Sequence, residues 1–160
     1  MLFRYLSCLL LILAGAAHAS AGHLRSFAPG TMERIVAERQ GRSFVLAFWS
    51  IGCAHCPAEL KALGALKRRY PGLDVVLVAT DSQDEAPRAA EIAAGFGLRS
   101  TQQWIFSDEA APERLRFEID PKWYGELPRT YLFDRNHRIE AVSGLIPAAR
   151  LERWVKENAR

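Results

Sequence analysis

Cysteine is scarce in this 160-residue sequence: only three occur, and two of them, Cys53 and Cys56, stand two residues apart in the stretch FWSIGCAHCPAEL. Because no second closely spaced pair exists, the usual four-ligand set of a structural zinc site is missing. Apart from His55, the histidines beyond residue 19 are His23 and His137, and both lie in stretches typical of loops. Copper(I) needs only two thiolates, so a copper site stays open beside a cycling dithiol and a structural staple.

Charge of one sign is also scarce, and repeats and low-complexity tracts are absent. The formal net charge is +3, with lysines, arginines and acids interspersed along the chain. This pattern argues against a nucleic-acid-binding surface, which needs a concentrated basic patch. The length fits one domain with a core of ordinary size.

Long apolar runs are missing as well, and the nearest approach to one lies at the N-terminus. Arg4 precedes an apolar run, Leu6 to Ala14, and small residues follow it up to Ala19. This layout predicts a secretory signal peptide over residues 1–19, cleaved after Ala19 or alternatively after Ala21. An uncleaved membrane anchor is the other interpretation, but the run is well short of the roughly 20 residues that span a bilayer.

Loss of residues 1–19 would remove Cys8 and leave Cys53 and Cys56 as the only thiols. In an oxidising compartment a lone pair of this kind tends to be paired or redox-active. A bridge over two residues closes a very short loop and stabilises a fold little, so a purely structural staple is a poor use of the pair.

Hydrophobic patterning predicts alternating strands and helices after an irregular segment, residues 20–30. The apolar runs Ser43 to Ser50 and Leu73 to Thr80 are typical of strands buried on both faces, with a helix from Cys53 to about Arg69 between them. The other predicted elements are a helix from Thr31 to near Gly41, a helix from a capping box at Ser82 (or with Asp84 as the cap) to about Gly95, a strand over Gln103 to Phe106, one helical turn over Glu113 to Phe117, a hairpin of Thr130 to Asp134 with Ile139 to Ser143, and a helix starting at Pro147.

Strands separated by helices need crossover connections and therefore run parallel, whereas the hairpin adds an antiparallel edge. The sequence thus predicts an α/β fold, a three-layer α/β/α sandwich with a central mixed sheet. In this order Cys53 falls where a central strand ends, and we expect it to be the cap or first residue of the following helix. The positive end of the helix dipole favours a thiolate there.

Cys56 lies one turn further along the same side, and we expect it to be the more buried thiol that resolves a mixed disulfide formed by Cys53. His55 stands between them. A protonated imidazole there would stabilise the Cys53 thiolate, and with it the reduced form, which makes the disulfide a stronger oxidant. The alternative is that His55 is an exposed residue with no tuning role.

The stretches AFWSIGCAHCPAEL and GELPRTYLFDRNHRIEAVSG resemble the thioredoxin superfamily, and within it the TlpA/ResA-like periplasmic thiol–disulfide oxidoreductases. The resemblance implies a thioredoxin-like domain over residues 31–160. It also implies that Pro128 is a cis-proline facing the disulfide and that the Leu127 backbone pairs with a substrate strand. Trp49 stands at the family's aromatic position, where the resemblance implies contact with a substrate, and Glu59 matches an acid that commonly follows the second cysteine.

The sequence also departs from the family. Ala47 stands where thioredoxin has a buried aspartate, so a proton acceptor for Cys56 must come from elsewhere. Asp81, at the end of the second strand, and Glu59 are the candidates. The alternatives are that Asp81 only opens a loop and that Glu59 faces solvent.

Trp123 and Tyr124 lie beside the proline loop and either form a partner-binding lip or belong to the core. Together these features predict a monomeric periplasmic protein that exchanges disulfides with protein substrates and needs no organic cofactor. The resemblance favours a reductase supplied by a membrane-bound electron donor. The Ala-His dipeptide between the cysteines, closer to the DsbA-like oxidases, favours oxidation. A copper(I) metallochaperone or copper-site assembly factor is the alternative from another class.

Overall fold

The computed structural model describes residues 24–158, so the predicted signal peptide and Cys8 lie outside the described residues. Within this range no helix is both long and apolar enough to cross a bilayer. In chain order the elements are β1 (Arg25–Phe27), α1 (Thr31–Ala37), β2 (Phe44–Trp49), α2 (Cys56–Arg69), β3 (Val75–Ala79), a 3-10 turn (Gln83–Glu85), α3 (Ala86–Gly95), β4 (Gln102–Phe106), α4 (Pro112–Ile119), β5 (Arg129–Phe133), β6 (Ile139–Ser143) and α5 (Ala148–Asn158).

One six-stranded sheet runs through the domain in the order β1-β4-β3-β2-β5-β6. The first four of these strands are parallel, and β5 and β6 are antiparallel to their neighbours. Every residue of β2 and β3 is buried, as the two apolar runs predicted. The predicted mixed sheet and its antiparallel hairpin are therefore confirmed.

Helices cover both faces of the sheet. On one face α2, α3 and α5 bury Leu63, Ala93 and Leu151 against the strands. On the other face α1 and α4 bury Ile35 and Leu115 in a cluster rich in aromatic rings. The predicted three-layer α/β/α sandwich is confirmed.

Two element boundaries differ from the sequence prediction because neighbouring chain segments decide them. The segment expected to be irregular contains β1, whose three residues pair in parallel with β4. Residues 53–55 form a turn in which the Cys56 N–H donates to the Cys53 carbonyl oxygen at 3.3 Å, so α2 begins at Cys56 with His55 as its N-cap. The prediction that Cys53 is the cap or first residue of this helix is wrong.

Two further helices were predicted with incorrect ends. The Ser82 side chain makes no capping hydrogen bond, and a 3-10 turn precedes α3 instead, with Pro87 in its first turn. The single turn predicted around Glu113 is a helix of eight residues, α4. It begins at Pro112, where the missing backbone N–H has no intrahelical partner to lose.

Candidate active site

Cys53 and Cys56 form a disulfide at the carboxyl end of β2, with the sulfur atoms 2.15 Å apart and the Cα atoms 5.4 Å apart. Cys53 is partly exposed, whereas Cys56 is completely buried, as expected. The backbone N–H of Cys56 donates to the Cys53 sulfur at 3.1 Å. Although Cys53 precedes α2, its sulfur therefore lies against the first N–H group of that helix, where a thiolate is stabilised.

The Asp81 carboxylate holds the loop that leads into the cysteine pair. Because β2 and β3 are parallel neighbours, their carboxyl ends meet at the same edge of the sheet. The Ser50 hydroxyl donates to Asp81 at 2.9 Å, and the Ile51 N–H donates to both Asp81 oxygens at 3.2 and 3.1 Å. Within residues 24–158 these are its hydrogen-bond partners, so Asp81 positions the backbone before Cys53 and makes no hydrogen bond to a sulfur.

The Glu59 carboxyl is buried in the same helix as Cys56, one turn further on, with 2% of the residue exposed. Its oxygens accept from the Thr130 hydroxyl and from the Ile146 N–H, each at 3.3 Å. Burial raises the pKa of Glu59, and the hydrogen bonds from Ile146 and Thr130 only partly oppose this. The interpretation of Glu59 as a solvent-facing residue is therefore wrong.

The peptide bond between Leu127 and Pro128 is cis, as the family resemblance implied. The Gly144 N–H donates to the Pro128 carbonyl oxygen at 2.8 Å and ties this loop to the end of β6. Leu127 makes no backbone hydrogen bond to any other residue in the described part of the chain. It faces an open depression of about 440 Å³, which is lined by Ser50, Gly52, Cys53, Ala54, His55 and Leu127.

The structure separates the aromatic residues that the sequence placed at a binding surface. Trp49 is 3% exposed and Trp123 is 4% exposed, so Trp123 belongs to the core, the second of its two interpretations, and neither ring presents an exposed surface to a partner. Trp49 belongs to a central strand, and the Trp123 ring packs with its centroid 5.0 Å from that of Phe48. Tyr124, by contrast, is 90% exposed, and His55 is also exposed.

No family model matches the sequence, and no curated protein matches it. Solved structures do match. A secreted Mycobacterium tuberculosis disulfide oxidoreductase homologous to E. coli DsbE is 20% identical, with a TM-score of 0.58 over 76% of this chain and 85% of that one. A thiol:disulfide interchange protein of the thioredoxin family from Chlorobium tepidum is 19% identical, with a TM-score of 0.58 over 78% and 84%. The thioredoxin domain of a Bacteroides vulgatus thiol-disulfide oxidoreductase is 17% identical, with a TM-score of 0.59 over 78% and 84%.

The fold is that of thioredoxin. These identities are too low to transfer an activity, so the likeness establishes the architecture alone. In this fold the cysteine pair lies at the carboxyl end of a central strand, and Leu127, which precedes the cis-proline, lines the same depression as Cys53.

Sequence reasoning missed a buried arginine in this thioredoxin fold. Arg129 directly follows the cis-proline and is 9% exposed. Its guanidinium donates to the Asp120 carboxylate at 2.5 Å, to the Ser143 hydroxyl at 2.7 Å and to the Tyr131 hydroxyl at 3.1 Å. The Ser143 hydroxyl in turn donates to the Glu126 carboxylate at 2.7 Å. The sequence offered one signal, an arginine next to the loop proline, but not its partners.

These contacts change the acidity of the groups involved. Burial acts to raise the pKa of Asp120, but the Lys122 N–H and the Arg129 guanidinium donate to its carboxylate and hold that pKa below its ordinary value. The Ser143 hydroxyl lowers the pKa of Glu126 in the same way. Burial raises the pKa of Tyr131 to about 12, against the opposing effect of Arg129. Around Arg129 the carboxylates are therefore held ionised and the phenol neutral.

Across residues 24–158, no group of three or more His, Cys, Asp or Glu side chains lies close enough together to hold a metal ion. A two-thiolate copper(I) site would need only the reduced Cys53 and Cys56.

Proposed function

We propose that the protein is a periplasmic thiol–disulfide oxidoreductase of the TlpA/ResA-like kind, which exchanges disulfides with partner proteins. The observation that carries the proposal is the asymmetry of the pair: Cys53 lines an open depression, and Cys56 is fully buried behind it. One sulfur can be reached by a partner and the other cannot. The predicted signal peptide supports the compartment, as does the similar Mycobacterium tuberculosis protein, which is described as secreted.

In the reductase direction, the Cys53 thiolate attacks one sulfur of a partner disulfide and forms a mixed disulfide, which releases the other partner sulfur as a thiolate. The Cys56 thiolate then attacks the Cys53 sulfur. The mixed disulfide breaks, the second partner thiolate leaves, and the Cys53–Cys56 disulfide re-forms. Two electrons pass to the partner, and a membrane-bound donor restores the dithiol. Oxidation of a partner dithiol is the same sequence in reverse.

Glu59 is the proposed proton acceptor for Cys56. Cys56 must lose its proton before it can attack, and it is buried away from water. Glu59 lies one helical turn from Cys56, and its raised pKa brings a carboxylate closer to the range in which it exchanges protons near neutral pH. Asp81 acts instead by holding the loop before Cys53.

The proposed substrate contact is the Leu127 backbone. Its N–H and C=O groups have no partner within residues 24–158, and Leu127 lines the same depression as Cys53. An extended peptide can pair with these groups as an added strand while its cysteine reaches the Cys53 sulfur. The exposed Tyr124 ring would extend this contact along the loop.

The direction of electron flow is set by the reduction potential, measured against glutathione and followed by tryptophan fluorescence. Trp49, which immediately precedes the active-site loop, should report on the nearby pair. A value near thioredoxin's, about −270 mV, would indicate a reductase, and a value near DsbA's, about −120 mV, would indicate that His55 makes the pair an oxidant. The absence of any redox transition would contradict both directions.

A trapping experiment tests the exchange reaction itself. In Cys56→Ser the resolving thiol is gone, so mixed disulfides between Cys53 and periplasmic proteins should accumulate and disappear on reduction. Cys53→Ser is the matched control and should trap nothing, because the remaining Cys56 is completely buried. If Cys56→Ser also traps nothing, and if the reduced protein binds copper(I) stoichiometrically in a way that Cys53→Ser abolishes, the copper metallochaperone becomes the better proposal.

A further inference from the structure

Arg129 lies on the side of the sheet away from the cysteine pair. Side chains alternate along a strand, and Thr130, the next residue of β5, is the one that contacts Glu59 on the face of α2. Arg129 instead pairs in register with Phe48 and shares its face with Tyr131 and the aromatic cluster. It therefore has no contact with the sulfurs, and any effect that it has on disulfide exchange must pass through the residues that it contacts.

The Arg129 guanidinium joins three separate segments of the chain. It binds Asp120 at the end of α4, Ser143 at the end of β6 and Tyr131 in its own strand. The planar guanidinium of arginine presents its donors as a rigid fork. Lysine has a compact ammonium group instead, and its donors do not match three acceptors fixed in three directions. The position therefore requires arginine for geometry as well as for charge.

The contacts continue from Arg129 to the residue that lines the depression. The Ser143 hydroxyl accepts from Arg129 and donates to Glu126, the residue directly before Leu127. The Trp123 indole N–H donates to the Glu126 carbonyl oxygen at 2.9 Å and fixes the same residue from the other side. Leu127 is thus held between Glu126 and the cis-proline, both of which are tied to the end of β6.

Stability alone does not explain such a residue. A buried, paired charge is often no more stabilising than apolar side chains of similar volume, because its desolvation offsets its attraction to its partners. An apolar residue here would bury equally well, but it would leave Asp120 and Ser143 without their contacts to Arg129, and Ser143 is the residue that binds Glu126. The group organises residues 120–127, the segment that carries Tyr124 and Leu127.

We infer that Arg129 is a positioning residue for substrate binding: it holds the Leu127 backbone where an extended partner chain can pair with it, and it takes no part in the chemistry at sulfur. This inference rests on the proposed function. It predicts that loss of the fork weakens exchange with protein disulfides, which need the Leu127 backbone. A small disulfide such as glutathione disulfide needs little more than access to Cys53.

The test compares the second-order rate constants with which the reduced protein reacts with insulin and with glutathione disulfide. Arg129→Lys keeps a positive charge beside Asp120 but loses contacts to the loop, and hydrogen bonds that involve a charged group contribute enough for a loss of about tenfold or more in the rate with insulin. We expect the rate with glutathione disulfide to stay within about twofold and the reduction potential of the pair to be unchanged.

Arg39→Lys is the matched control. Arg39 is also buried, at 6% exposure, and also forks, to Asp74 and Gln102, but it lies in the turn after α1 and contacts no residue of the proline loop. We expect this variant to lose folding stability without any preference between the two disulfides. If Arg129→Lys and Arg39→Lys lower the rate with insulin equally, or if Arg129→Lys slows both disulfides equally, the inference is overturned.

Ser143→Ala provides a second variant in case Arg129→Lys does not fold. It removes the bridge to Glu126 and leaves the ion pair between Arg129 and Asp120 in place. We expect a smaller loss with insulin in the same direction, and an unchanged ratio of the two rates would count against the inference. If the wild-type protein reacts with neither disulfide, the proposed function itself fails, which is a distinct result.

Discussion

Replacement of Glu59 by glutamine probes the buried carboxyl beside Cys56 with little change of shape. The glutamine carbonyl oxygen can accept from the Ile146 N–H as Glu59 does, and its amide group can donate to the Thr130 hydroxyl. The residue is 2% exposed, so the variant removes a buried charge while packing and hydrogen bonding are retained. The difference in the free energy of unfolding between the two proteins then reports the cost of ionising Glu59 inside the fold.

The sign of the effect follows from the raised pKa of Glu59. Between the ordinary pKa of 4.5 and the higher value in the folded state, the folded protein binds more protons than the unfolded chain. The free energy of unfolding of the wild type must therefore fall as the pH rises through this window, by about 1.4 kcal/mol for each unit of the shift. Below the window the carboxyl is neutral in both states, and the glutamine variant should match the wild type.

The assay is urea unfolding of the oxidised proteins at a series of pH values. We expect Glu59→Gln to gain stability relative to the wild type as the pH rises from about 4.5 towards neutrality. Glu113→Gln is the control. Hydrogen bonds from its own backbone and from Arg116 lower the pKa of this exposed glutamate, so the Glu113→Gln protein should have a lower free energy of unfolding than the wild type near neutral pH, the opposite of Glu59→Gln. If the free energies of unfolding of Glu59→Gln and the wild type are equal at every pH, burial does not raise the pKa of Glu59 and our reasoning fails.

Glu59→Gln also tests the proposed proton transfer. General acid–base catalysts typically contribute about 10²–10⁴-fold. We therefore expect the attack of Cys56 on a preformed mixed disulfide at Cys53 to slow by at least about 10²-fold near neutral pH. Stopped-flow tryptophan fluorescence measures this step, and an unchanged rate would assign the proton to another acceptor.

The remaining predictions concern packing, redox tuning and acidity. Gly64→Ala should lower the free energy of unfolding by about 1–3 kcal/mol or more in urea, because the added Cβ would lie 1.9 Å from the Phe96 carbonyl oxygen. Gly95→Ala, which has open space around its Cβ position in α3, should raise it by roughly 0.5–1 kcal/mol. His55→Ala should lower the reduction potential by about 30 mV for each unit by which the thiol pKa rises, and an unchanged potential would leave His55 without a tuning role. The phenol of Tyr131 should ionise near pH 12, seen as ultraviolet absorbance that Tyr131→Phe removes, and ionisation near pH 10 would contradict its burial.

The parts of the fold that the sequence predicted well are those whose pattern is local. Phe44–Trp49 and Val75–Ala79 are continuous apolar runs, which are typical of strands buried on both faces. The hairpin of β5 and β6 follows from two short apolar runs around a polar turn. The cis-proline came from resemblance to a family, since nothing in the local pattern distinguishes Pro128 from the other prolines.

The parts that the sequence did not predict depend on contacts between distant residues. Arg129 and Ser143 become neighbours only through the hairpin register, and Asp120 reaches Arg129 only because α4 ends beside β5. The burial of Glu59 depends in the same way on the Ile146 backbone, which arrives from the segment before α5. A helical pattern alone could not tell that this glutamate faces inward.

The three residues of β1 also limit how far the chain can be shortened. The Phe27 ring lies with its centroid 5.8 Å from that of Phe48 and 5.7 Å from that of Phe106, in the centre of the aromatic cluster. A chain that starts at Ala28 would leave a hole there and bare the backbone of β4, a ready template for pairing with a second molecule. The predicted cleavage after Ala19 or Ala21 would leave β1 in place, so the edge of β4 would stay paired in the shortened chain.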